Sequence, residues 1–199
     1  ANMFSGIILS LATVISSWCA FQSSQWNGEQ YFKIDDENIA DNKRLQKEIV
    51  ATQRRAGESN YFLYYLDALS KKDEKRITFL EARFPPHLKK AISAWKATDP
   101  LNNESAPRSP FQMEEYVVPE IEEAKVFAKQ AREFKMAANQ ADKNSDNYLL
   151  LSIVVSMVLF FTGLAGISKS FHFQKILLTT AIIILVLVIF YLLNLPAII

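Results

Sequence analysis

Three stretches of the chain are apolar and free of charge, at residues 3–21, 148–167 and 176–195. A bilayer core about 30 Å thick takes about 20 apolar helical residues to cross. The pattern therefore predicts transmembrane helices over residues 3–22, 148–167 and 176–195. The first stretch is richer in hydroxyls than the others. It lacks the basic segment and the small-x-small cleavage site of a secretory leader, so it reads as a retained span.

Between the first two spans, residues 25–147 carry polar and apolar positions at helical spacing, with no alternating strand pattern and no hairpin signal. Two long helices are predicted, over residues 25–56 and 119–147. The second opens at Pro119, with Glu120, Glu122 and Glu123 at the positive end of the helix dipole. Along it Ala124, Phe127, Ala131, Phe134, Ala138, Ala141, Ser145 and Tyr148 alternate steps of three and four, a heptad seam that runs into the second span. Asn27, Tyr31, Ile34, Asn38, Asp41 and Leu45 keep the same rhythm on the first long helix.

Between the long helices lies an aromatic helical subdomain, predicted over residues 58–97. Phe62, Tyr65, Leu66 and Leu69 recur at i, i+3, i+4 and i+7, Ile77, Leu80 and Phe84 follow, and Leu88, Ile92 and Trp95 align after Pro85-Pro86. Residues 98–110, with three prolines and paired asparagines, predict an irregular loop, and Phe111, Met113 and Tyr116 after it fold back onto the aromatic core.

The spans carry a second pattern. Gly6, Ser10, Thr13, Ser17, Ala20 and Ser24 fall within a wedge of roughly 80° on a helical wheel, and so do Ser152, Ser156, Gly163 and Gly166. Small and hydroxyl residues let transmembrane helices approach closely, and the same residues could wet a pore with Glu29, Asp35 and Asp36 as its acidic mouth. Trp18 and Trp26 suit interface anchors, a polar edge on an apolar ring. The third span has no glycine and is expected to face lipid along most of its length.

Composition sharpens this division. The chain has 199 residues with 22 Lys and Arg against 21 Asp and Glu, a net charge of +1, which gives no footprint for nucleic acid. Charged residues are absent from residues 1–28, 147–168 and 176–199, so no ionisable side chain marks a proton relay inside a span. Lys169 and Lys175 flank the short loop between the last two spans. Positive-inside counting puts that loop in the cytoplasm and the helical domain outside it.

Chemistry-bearing motifs are not found. There is no P-loop, dinucleotide glycine pattern or metal-ligand pair on a helix turn, and neither a cofactor nor a metal is expected. Cys19, the single cysteine, reads as a small packing residue. His87 beside Pro86 reads as a solvated first-turn residue and His172 as a headgroup contact. Asp35-Asp36 and Glu122-Glu123 read as solvated helix faces. The sequon at Asn103 carries little weight.

The segments WCAFQSSQWNGEQ, RFPPHLKKAISAWKATDPLNN, SPFQMEEY and NSDNYLLLSIVVSMVLFFTGLAG together resemble a family of bacterial three-span membrane proteins of unknown function. That resemblance implies a multi-pass protein of the bacterial inner membrane and transfers no activity or site residue. The expectation is thus an all-α integral membrane protein with a helical stalk and domain between spans one and two. Its partners are the lipid bilayer, further copies of itself and a membrane-protein partner of unknown identity. Its role is that of a non-enzymatic scaffold; the alternative is an oligomeric cation channel lined by the first span.

Overall fold

The computed structural model describes residues 2–100 and 102–198. Among them there is no strand. Five α-helices follow in order: α1 (Asn2–Ser70), α2 (Glu74–Arg83), α3 (Pro86–Ala97), α4 (Pro119–Ile167) and α5 (Phe171–Leu192), with a 3-10 turn at Pro110–Gln112 before α4. Three of these helices, α1, α4 and α5, are long and apolar enough to cross a membrane.

The first span and the long helix after it form one continuous element, as the lack of any helix-breaking signal between them suggests, but this element also takes in the stretch after residue 57 that the spacing assigned to a separate helix. It continues past Gly28 and past Gly57 to Ser70, so Tyr61–Leu69 is its last part and not the start of a separate helix. A single glycine costs a helix interior about 1 kcal/mol and does not break it. Nothing lies within 4 Å of a Cβ placed at either position, so neither glycine is there to admit a neighbour. The helix stops where Lys72 takes a left-handed φ of 54°. The Asp73 N–H then reaches the Ala68 carbonyl at 3.0 Å and the Lys72 N–H reaches that of Leu69 at 3.1 Å, a Schellman closure. The Asp73 side chain caps α2 by accepting from the Arg76 N–H at 3.1 Å.

The chain divides into two compact units, one of Ala1–Glu37 with Arg132–Ile199, the other of Asn38–Ala131. In the second unit Phe62, Tyr65, Ala68, Ile77, Phe84, Leu88, Ile92 and Trp95 form the core, with Phe111, Met113 and Tyr116 packed against it. Edge-to-face ring pairs run from Trp95 to Phe62 (5.2 Å), Phe62 to Phe111 (5.7 Å) and Phe111 to Tyr116 (5.0 Å). The Trp95 indole donates to the Pro107 carbonyl at 2.7 Å, which ties the irregular loop to α3. Ion pairs Lys47–Glu123 and Arg54–Glu120 join α1 to α4 within this unit.

In the first unit the core draws on three helices: Ile8, Ala12, Ile15 and Cys19 of α1, Tyr148, Leu151, Val155 and Val158 of α4, and Ala181, Leu185 and Val188 of α5. The last group forms one packed face of the third span, and most of that span is left outward, with 22% of its apolar stretch buried. Ala181, one of the few small residues of this span, is fully buried at the centre of that face.

Candidate functional site

The small-residue wedge of α1 does not hold the protomer together. Ser5, Ile8, Ala12, Ile15, Cys19 and Gln22 are buried, whereas Gly6, Ser10, Thr13, Ser17, Ala20 and Ser24 are all exposed. The two sets lie about 150° apart around the helix. Three of the wedge hydroxyls find partners on their own backbone: Ser10 donates to the Gly6 carbonyl at 2.9 Å, Thr13 to Leu9 at 2.8 Å and Ser17 to Thr13 at 3.0 Å. Satisfied in this way, they need no neighbouring helix. The wedge of α4 behaves similarly. Ser156, Gly163 and Gly166 are exposed and Ser152 half-buried, with Ser152 donating to Leu149 at 2.7 Å and Ser156 to Ile153 at 2.5 Å.

The seam of α4 faces inward. Ala124, Ala131, Ala138, Ala141, Ser145 and Tyr148 are buried, and Phe127 and Phe134 are half-buried. Phe127 lies under the Lys43 ammonium at 5.8 Å. Beyond Tyr148 the buried row continues through Leu151, Val155, Val158, Thr162 and Ala165.

Of the two expected anchors, Trp18 is exposed and packs beside Phe21 at 5.9 Å. Trp26 instead donates its indole N–H to the Pro196 carbonyl at 3.0 Å, and the Tyr148 hydroxyl donates to the same carbonyl at 3.1 Å. Gln22, wholly buried, donates from Nε2 to the Ile198 carbonyl at 2.8 Å and accepts the Ile198 N–H at 2.9 Å. Next to it Ser145 donates to the Ser23 carbonyl at 2.9 Å. Proximity of residues 22–26, 145–148 and 196–198 could not be seen in spacing, because no periodicity links positions so far apart.

A second polar cluster corrects the reading of His87 as solvated. Its Nε2 lies 2.8 Å from Glu58 Oε1, and the Tyr116 hydroxyl donates to Glu58 Oε2 at 2.7 Å. The Glu58 side chain is 4 % exposed and that of His87 15 %. Burial, and then the bond to Glu58, push the Tyr116 phenol well above its ordinary value. Both Glu58 oxygens have partners, which suits a tie between α1, α3 and the segment ahead of α4 better than a proton-transfer site.

In the same unit Tyr65 donates to Glu81 at 2.6 Å, and Lys96 donates to the same oxygen at 3.1 Å. The Tyr65 bond holds the Glu81 carboxyl below its usual range. Among the described residues no group of three or more His, Cys, Asp or Glu could hold a metal ion.

No family model, curated protein or solved structure matches the chain.

Proposed function

We propose that this protein is a three-span integral membrane protein of the bacterial inner-membrane type, acting as a homo-oligomeric scaffold rather than an enzyme. The outward face of α1 meets a second copy. One observation carries this reading: Gly6, Ser10, Thr13, Ser17, Ala20 and Ser24 are all left uncovered by the protomer's own helices. Nothing lies within 4 Å of a Cβ placed at Gly6, Gly163 or Gly166, so these glycines do no packing inside the protomer. Close approach by another helix uses such a face. The face continues through Asn27, Tyr31 and Ile34, where Tyr31 is 67 % exposed, beyond the point where charge begins at Glu29. An apolar stripe leaving the hydrocarbon needs protein to cover it. Lys169 and Lys175 support an orientation with the α4–α5 connection in the cytoplasm and the helical domain outside.

The second reading, an oligomeric cation channel, draws on the same exposed hydroxyls. Single cysteines at Ser10, Ser17, Ser24, Val14 and Val186, placed in a Cys19→Ala chain in native membranes, separate the two. The scaffold reading expects oxidative cross-links at Ser10, Ser17 and Ser24 and few at Val14 and Val186. Equal cross-linking at all five positions removes the contact face. Labelling of Ser10, Ser17 and Ser24 by a charged thiol reagent, with no cross-links, replaces the scaffold with the channel.

A further inference from the structure

After α5 the chain turns and lays residues 195–198, a segment without helical structure, against Gln22, Trp26 and Tyr148. The contacts are to backbone. One carbonyl, that of Pro196, accepts from both Trp26 and Tyr148. Two residues on, Ile198 gives its N–H to Gln22 and accepts from Gln22 in return. A residue exchanging both backbone groups with one partner is the pairing of an antiparallel β-ladder, with the Gln22 amide standing in for the neighbouring strand. Proline suits the segment, since it brings a carbonyl without an N–H that would itself need a partner.

With the segment in place two of the receiving residues are enclosed. Gln22 is wholly buried and Tyr148 nearly so, and a buried amide without partners is costly. Without the segment, Gln22 loses both of its bonds and the Tyr148 hydroxyl its acceptor. In hydrocarbon the argument strengthens, because non-helical backbone at membrane depth is tolerated only where protein satisfies it. It does not depend on insertion, however, since the burial of Gln22 is the protomer's own.

The geometry points to a peptide-backbone-binding site made by Gln22, Trp26 and Tyr148, filled in cis by residues 195–198, so that this segment is a latch that opens without unfolding α5. Its ligand class is a non-helical peptide with a proline carbonyl at the shared position. Amide hydrogen exchange on the full chain in lipid nanodiscs tests the site. The Ile198 N–H should exchange at least ten-fold more slowly than in a free peptide of residues 193–198, and well ahead of the Leu185 N–H within α5. Gln22→Leu should bring Ile198 to within two-fold of the free peptide while Leu185 stays protected. Trp26→Phe, which keeps the ring and removes the donor, should speed Ile198 exchange several-fold and serves if Gln22→Leu does not fold. Free-peptide exchange of Ile198 in the unaltered chain overturns the site. So does protection undiminished by the substitutions. Exchange of Ile198 at the same rate as Leu185 overturns the latch.

Discussion

Glu58 shows how a single buried carboxylate organises the second unit. It receives His87 from α3 and Tyr116 from the segment before α4, so one side chain closes loops 29 and 58 residues long. Removing one donor leaves a buried oxygen without a partner, which costs about 1–3 kcal/mol. Tyr116→Phe should therefore destabilise the protein by about that amount in denaturant unfolding, although the ring contacts remain. The phenol also gives the fold a pH limit. Its folded pKa is raised, so the unfolded chain gives up the proton first. Its contribution is whole below about pH 10, the ordinary tyrosine value, and is lost as pH rises beyond that toward the folded value. An alkaline unfolding curve for Tyr116→Phe should be flatter above pH 10 than that of the unaltered chain. An equal slope would show that Tyr116 does not supply the limit. This cluster was illegible in the sequence because Pro86-His87 reads locally as a helix start, and nothing local names a partner 29 residues upstream.

Among the elements, legibility followed contrast. Outside the membrane stretches, α4 sets alanine and phenylalanine against lysine and glutamate, and its seam from Ala124 to Tyr148 is the face the protomer buries. The aromatic rows of α1, α2 and α3 were readable for the same reason. Inside the apolar stretches every face is hydrophobic, and small residues became the only visible marker. They mark the outward side of α1, because Ile8, Ala12, Ile15 and Cys19 bury better while hydroxyls can bond to the preceding turn. In α5 the informative residue was Ala181 alone. Enlarging it to leucine forces added volume into a filled site, which costs about 1–3 kcal/mol. Ala181→Leu should lower the thermal stability of the purified protein in detergent, whereas Val186→Leu, at a position 60 % exposed, should leave it unchanged. Equal effects would mean that α5 does not pack by its Leu177, Ala181, Leu185 and Val188 face.

For the whole molecule, the bonds to Pro196 and Ile198 constrain membrane topology beyond what hydropathy gives. They set the end of α5 beside residues 22–26 of α1 and Tyr148 of α4. The α4–α5 connection, residues 168–170, is reached only after the whole apolar length of α4. If three helices cross, residues 195–198 emerge on the side where α1 leaves the bilayer and α4 enters it. The irregular loop at 98–110, which lies in the chain between those two crossings, must share that side. Reporter fusions placed within residues 98–110 and after residue 198 should therefore agree with each other and oppose one at residues 168–170. Lysine placement adds the sign: alkaline phosphatase should be active at the first two positions and inactive at the third. The reverse activities with the pairing kept would put the domain in the cytoplasm and leave the three crossings standing. Opposite results at the first two positions would mean that the number of crossings between residues 98 and 198 is odd, and with it the reading of α4 and α5 as a pair of spans would fall.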